Sequence, residues 1–346
     1  MATIGDVAKA AGVSRSTASY ALSGNRSISE AVRLRVLAAV EELGYTPNAG
    51  ARALATSRTK TIALLGRFLD DEFAPAMLQY ILGVSETARK KGYDTLLVSD
   101  ENGVAALKRL SSSRMVDGFV LLNVAERDDR LPLLRDIRQP GALVGLPGDP
   151  DGVDVFDLDF VASGRAMVDA LYDAGHRELV LVSQPEHVVA RGGAYVWRLA
   201  NGARDRADEL GVTLHRYHAH SSQPGIGRDL ADYLDRHPRA TGLLLNNEAA
   251  AAALPSVLAA RGMSAPEDIS VIGRYSDAFA RTFSLPFSAI DSAADELGAR
   301  AVQQLVSRIE GDPDAAKPHT VELIQPRIDD RGSIAAPSPA RMGATH

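Results

Sequence analysis

The chain has no cysteine, which excludes a disulfide framework, thiolate metal sites and a cysteine nucleophile together. The absence also fits a reducing compartment. No apolar run approaches the roughly 18 to 20 residues that a spanning helix needs; the longest are pieces such as Ala249–Leu254. The opening MATIGDVAKAAG has neither a basic nor an apolar leader region, so no secretory signal is expected and a cytoplasmic location is. Nucleotide cradles of the form G-x-G-x-x-G after a strand or G-x-x-x-x-G-K-[ST] are missing, as is a G-x-S-x-G elbow. Carboxylates such as Asp154, Asp157 and Asp159 are plentiful, but nothing assigns them acid and base roles. No enzyme chemistry, cofactor or metal is therefore expected. His215, His218 and His220 suggest a metal cluster, but no carboxylate stands beside them at ligand spacing in the sequence. His176 is read as part of a Gly-His turn, and Trp197, the only tryptophan, as core packing.

The 346 residues, 24% charged and 45% hydrophobic, suit a globular protein of two or three domains. Charge is unevenly spread. Residues 1–60 carry eight Lys or Arg against four acidic side chains, a net of +4, which leaves −10 on the remainder. A basic head on an acidic body is the asymmetry of a nucleic-acid-binding domain joined to something else.

Three short helices are legible in that head. Thr3 can cap Ile4–Ala10, with Asp6 as its capping-box partner. Gly12 breaks the pattern, and Ser14 can cap a second helix over Arg15–Leu22. Ser29 opens a third, with Val32, Val36, Leu37, Val40 and Leu43 on its apolar face, and Gly44 ends it. Helix, tight turn, helix and bracing helix form the helix-turn-helix arrangement, whose second helix enters the major groove. Arg15, Ser16, Ser19 and Tyr20 share one face of that helix; Thr17, Ala18, Ala21 and Leu22 turn toward the other helices or the flank. Arg15 can pair bidentately with guanine, which discriminates by about 1–3 kcal/mol. The segment after Pro47-Asn48 is rich in alanine but weakened by Gly50, at about 1 kcal/mol relative to Ala. Its lone large apolar side chain, Leu54, has no core to enter. A leucine on a small-residue helix is what a minor-groove wedge requires.

The run from TIGDVAKAAGVSRSTASYALSG through GYTPNAGARALATSRTKTIALL resembles the LacI/GalR family of bacterial transcriptional regulators. The resemblance implies that Arg15, Ser16 and Tyr20 read bases, and that Thr3, Thr17, Asn48 and Arg52 contact backbone or groove. It also implies that Ala51 and Leu54 belong to a hinge helix that orders on operator DNA, with Leu54 wedged into the central step. Relatives often carry Arg or His where this chain has Tyr20.

Beyond residue 60 the chain alternates strand and helix. Strand-like runs are Ile62–Leu65, Thr95–Ser99, Gly118–Leu122, Ala142–Leu146, Leu179–Ser183, Gly242–Leu245 and Ile269–Gly273. A helix spans Ala74–Lys91 with Met77, Ile81, Val84 and Ala88 on one face. Such units imply parallel sheets covered by helices, with ligands bound outside the carboxyl ends of the strands.

This part is similar to the family's effector core, a two-subdomain periplasmic-binding-protein-like α/β fold. The residues carrying the likeness are Gly175-His176-Arg177, Asn247-Glu248, the run from Pro266 to Gly273, and Arg331-Gly332-Ser333. The implied division is a helix-turn-helix domain at 1–46, hinge and linker at 47–59, one core subdomain at 60–157 with 289–319, the other at 158–288 with 320–334, and a disordered tail at 335–346. The pocket departs from the family pattern. Arg274-Tyr275-Ser276 replaces aromatic-Asp-Asp, Asp159-Phe160 replaces Asp-Asn, and Ala74-Pro75-Ala76-Met77 replaces Asn-Pro-Phe-Phe. The resemblance thus nominates Phe73, Phe160, Arg191, Arg198, Asn247 and Tyr275 for the effector. The effector is expected to be more apolar or anionic than a plain neutral monosaccharide. The expected protein is a homodimeric repressor on a pseudo-palindromic operator; the alternative is a solute-binding protein of the same core acting without DNA.

Overall fold

The computed structural model describes residues 2–23, 28–45, 58–67, 74–100, 102–220, 222, 225–312 and 318–338. They fall into two compact units that divide between Thr59 and Lys60.

In the first unit α1 spans Ile4–Ala10, α2 Arg15–Ser23 and α3 Glu30–Glu42. The Thr3 side chain accepts from the Asp6 N–H at 3.3 Å while the Asp6 carboxylate accepts from the Thr3 N–H at 2.9 Å, closing the expected capping box. Gly12 takes φ +63°, a value cheap only for glycine, and turns the chain sharply into α2. There the Ser14 hydroxyl accepts from the Thr17 N–H at 3.0 Å. Val7, Ala8, Ala11, Ala18, Val36 and Ala39 form the core, flanked by half-buried Val32 and Val40. Ala39 takes a place that periodicity had assigned to Leu37 and Leu43, which are 43% and 38% exposed. A core of this size closes around alanines, which let the helices approach. Ser29 precedes α3 but makes no side-chain capping bond.

The second unit contains twelve strands among the described residues: β1 Thr61–Gly66, β2 Asp94–Ser99, β3 Gly118–Leu121, β4 Gly141–Val144, β5 Asp154–Leu158, β6 Glu178–Ser183, β7 Thr213–His218, β8 Gly242–Leu245, β9 Ser270–Arg274, β10 Ser288–Ile290, β11 Val321–Ile324 and β12 Ile328–Asp329. They make two six-stranded sheets, ordered β11-β5-β4-β3-β1-β2 and β12-β10-β9-β8-β6-β7. All pairings are parallel except β10 with β12. Central strands are buried along almost their whole length, while edge strands β2 and β7 are partly exposed. This is the pattern of parallel sheets covered on both faces.

All seven strand-like runs are strands. Strand β5 was hidden by its two acids, and both are accommodated in the fold. Asp154 is fully buried, pairs with Arg308 and accepts the Thr320 N–H at 2.9 Å. Strand pairing shifts the inferred joints. β11 lies in the first sheet, although residues 320–334 were assigned wholly to the second half, and β10 spans the assumed 288/289 joint while pairing in the second sheet. The chain therefore crosses between sheets after β5, after β10 and again between β11 and β12. Ala335 is not loose: its carbonyl accepts from Ser270 Oγ at 3.1 Å and lies 2.9 Å from His176 Nε2, so that part of the inferred tail is bound; residues 339–346 lie outside the described set.

Two helix pairs pack at glycine. A Cβ on Gly298 would sit 2.9 Å from the Val84 nitrogen, where Ala294–Glu310 crosses Ala74–Lys90. Cβ atoms on Gly164 and Gly202 would overlap the carbonyl oxygens of Leu199 and Val161, where Phe160–Asp173 meets Ala194–Leu210.

Candidate functional site

The exposed surface of the head is set by the register of α2. Arg15, Ser16, Ser19 and Tyr20 are exposed, Thr17 is half-buried and Ala18 is fully buried. The Thr17 hydroxyl is 2.8 Å from that of Ser14, and the Thr3 hydroxyl donates to Asp6 at 2.7 Å, so both side chains also have capping work. The Arg15 guanidinium rests over Gly5, where a Cβ would lie 2.8 Å from Nη2. Asn48, Ala51, Arg52 and Leu54 lie outside the described residues.

In the second unit a cavity of about 110 Å³ opens at the carboxyl ends of both sheets. From the first sheet come Leu122 and Asn123 after β3, Val144 to Leu146 at the end of β4, and Asp157 of β5; from the second come Gln184 after β6, Glu248 after β8 and Arg274, the last residue of β9. Met77, Tyr80, Phe160, Val188 and Tyr195 supply much of the apolar wall. Parallel strands all end on the same side, so their terminal side chains converge there from distant parts of the chain.

Arg274 is the electrostatic centre and only 4% exposed. It pairs with Glu248, and its Nε donates to Asn246 Oδ1 at 2.9 Å. Gln184 donates to the other Glu248 oxygen at 3.0 Å. The guanidinium lies 5.6 Å from the Phe160 ring centre and 5.8 Å from that of Tyr195, within cation–π range. Among the described residues its Nη1 has no hydrogen-bond partner, which leaves a donor beside the cavity. Burial pushes the Asp157 carboxyl up to about 7, although the Leu146 and Leu158 N–H groups donate to it at 2.8 and 2.9 Å and Arg198 and Arg274 act in the opposite direction. Burial likewise pushes the Tyr80 hydroxyl up to about 12.

Of the residues nominated from sequence, Phe160 lines this cavity. Phe73 lies outside the described residues. Tyr275 belongs to the core: it is 2% exposed and its hydroxyl donates to the Phe287 carbonyl at 2.8 Å. Asn247 caps helix Glu248–Ala260, accepting the Ala250 N–H at 3.0 Å while its amide donates to Ser183 at 3.3 Å. Arg198 pairs with Glu126 at 2.7 Å and donates to the Leu146 and Pro147 carbonyls, so it ties the second half to the loop after β4. Arg191 ends helix Glu186–Ala190 and is not among the lining residues. Sequence reasoning placed the lining one residue away at two points, Asn247 for Glu248 and Tyr275 for Arg274. The signal was a charged side chain at the end of one buried apolar strand, SVIGR, and three residues beyond the end of the other, LLLNNE.

The three histidines do not converge. His218 Nδ1 is 2.7 Å from the Gln184 carbonyl, His220 meets Asp229, and His215 lies 3.3 Å from Glu178, a carboxylate that the linear sequence places far away. His176 is buried with Nδ1 2.8 Å from the Thr241 hydroxyl, a structural role.

The family model described as "Bacterial regulatory proteins, lacI family" matches residues 3–48, and a periplasmic binding protein-like domain matches residues 168–334. Among curated proteins, the HTH-type transcriptional regulator CelR of Thermobifida fusca is 31% identical over 321 residues, 90% of this chain and 92% of its own. The HTH-type transcriptional repressor PurR of Aliivibrio fischeri is 28% identical over 341 residues, covering 97% and 99%. Among solved structures, a lac repressor dimer bound to operator and the anti-inducer ONPF superposes with a TM-score of 0.79 at 20% identity, covering 97% of this chain and 99% of that one. A CelR–cellobiose complex superposes at 0.66 with 23% identity, covering 96% and 100%. No helix among the described residues is long and apolar enough to cross a membrane. The chain thus belongs to the LacI family of bacterial regulatory proteins, as a DNA-binding transcriptional regulator and not an enzyme.

Proposed function

We propose that the protein is a cytoplasmic homodimeric repressor that binds a pseudo-palindromic operator and is controlled by a small molecule in the cavity between the two sheets. The observation that carries the DNA reading is the register of α2, which exposes Arg15, Ser16, Ser19 and Tyr20 together while burying Ala18. Thr3, Thr17, Asn48 and Arg52 serve as backbone or groove contacts, with Ala51 and Leu54 in the hinge. We divide the core by its sheets, with β11 in the first half and β10 in the second. A dimer face is supported by four apolar side chains of the first half that are 48–52% exposed: Leu78 and Leu82, one turn apart, Leu97 on edge strand β2, and Met115.

The effector has a mainly apolar body and an acceptor for Arg274 Nη1. The lining supports this: Met77, Tyr80, Phe160, Val188 and Tyr195 form much of the wall, and Glu248 is already engaged by Arg274 and Gln184. Cellobiose, bound by the CelR relative, and simple hexoses are accordingly poor ligands. Occupancy changes how the halves pack across Arg198, and a coupling of about 1–3 kcal/mol gives roughly 5–150-fold regulation.

Selection from a random duplex library by the full-length protein tests the DNA reading. A pseudo-palindrome with a flexible central step is expected, and recovery of a single half-site would overturn the dimeric arrangement. Leu54→Ala is expected to weaken specific binding far more than non-specific binding; equal losses remove the wedge role. Calorimetry showing micromolar affinity for a hexose or cellobiose would overturn the effector class.

A further inference from the structure

A second group of side chains lies away from the cavity, toward the amino ends of the strands in the second sheet. Glu178 is the first residue of β6, His215 the third of edge strand β7, and His237 follows helix Gly225–Arg236. The register pairs Glu178 with Thr213 and Val180 with His215, so Glu178 and His215 are diagonal neighbours on one sheet face. One ligand-type atom from each of the three residues lies within 4.8 Å of the other two, and all three are half-buried. The 3.3 Å from Glu178 Oε1 to His215 Nε2 matches the edge of a tetrahedron with metal bonds of about 2.0–2.1 Å.

We propose that Glu178, His215 and His237 bind a divalent transition-metal ion of the zinc class, with water in the fourth position. Imidazole and carboxylate are suitable donors for such an ion. The second Glu178 oxygen lies 3.5 Å from the exposed Arg239 guanidinium. The rings are already in contact: His215 lies tilted against His237 at 4.4 Å, while His237 stacks on Tyr233 at 4.3 Å and Tyr233 on Tyr217 at 4.5 Å. The ion joins the start of β6, edge strand β7 and the segment before β8, three pieces otherwise linked through sheet pairing. It therefore stabilises this edge without entering the effector cavity.

The test is titration of Zn²⁺ into metal-free full-length protein by calorimetry, with melting temperature followed in parallel and Co²⁺ used to report geometry by its visible absorption. One ion per chain, a tetrahedral Co²⁺ spectrum and a raised melting temperature are expected. His237→Gln should weaken binding at least about tenfold and abolish the rise. Glu178→Gln, which keeps side-chain shape, should do the same, so the result stands even if the histidine variant folds poorly. The double variant His218→Ala/His220→Ala should retain both effects. Absent binding, or binding unchanged by Glu178→Gln and His237→Gln, overturns the site and leaves the four rings as an aromatic cluster only.

Discussion

Asp157→Asn should reverse the usual effect of altering a buried side chain, and should do so at neutral and alkaline pH but not in acid. The native carboxyl is held near 7 by burial, against 3.8 for an ordinary aspartate. Its raised value has a definite sign in folding linkage. Between pH 3.8 and about 7 the unfolded chain has released the proton while the folded chain still holds it, so stability falls as pH rises through that window and then levels. At 1.36 kcal/mol per pH unit the full loss is about 4 kcal/mol, of which about 3 kcal/mol falls between pH 5 and pH 8. Asparagine has the same shape and no charge, so it escapes that loss. It keeps one acceptor for two donors, Leu146 N–H and Leu158 N–H, at a cost of about 1–3 kcal/mol. The variant is therefore expected to match the parent or fall slightly below it at pH 5, and to exceed it by about 1–3 kcal/mol at pH 8. Urea unfolding followed by fluorescence of Trp197, the only tryptophan, reads the core unit without interference from the head. The melting-temperature difference between variant and parent should widen by about 5–10 °C from pH 5 to pH 8. A difference independent of pH over that range would refute the reasoning.

Other substitutions separate cavity, core and packing. Arg274→Met leaves Glu248 buried without its cation and should cost about 3–5 kcal/mol, with much of that recovered in Arg274→Met/Glu248→Gln; denaturation midpoints measure both. Tyr275→Phe removes one hydrogen bond to Phe287 and should cost about 1 kcal/mol while leaving effector affinity unchanged; a large affinity loss would return Tyr275 to the binding site. Gly202→Ala drives a methyl group into the Val161 carbonyl and should destabilise by about 3 kcal/mol, seen as a lower urea midpoint at constant slope. Arg15→Ala should relax base preference at its contact by about 1–3 kcal/mol without moving the melting temperature, which library selection and calorimetry together would establish.

Local chemistry was enough to read the head. Capping at Thr3 and Ser14, the Gly12 turn and the 3.6-residue period of α2 all act within a few residues, so helix limits and the exposed face follow from sequence alone. The central strands were equally legible, because a strand buried on both faces must be a continuous apolar run. Edge strand β2 was also legible, but acid-bearing β5, edge strands β7, β11 and β12 and the three-residue β10 were not. Asp154 and Asp157 make β5 look polar until Arg308, Thr320 and the backbone donors at Leu146 and Leu158 are brought to them from elsewhere in the chain. The cavity shows the same limit. Family position pointed to Asn247 and Tyr275, yet strand pleat and helix capping turn Glu248 and Arg274 inward instead, one residue along in each case. His215 met no carboxylate in its own segment, and only the β6–β7 register brought Glu178 to it and the end of helix Gly225–Arg236 brought His237. Sequence determined what depends on neighbours along the chain; which side chains face one another across two sheets depends on register and crossover, and those were decided only when the sheets assembled.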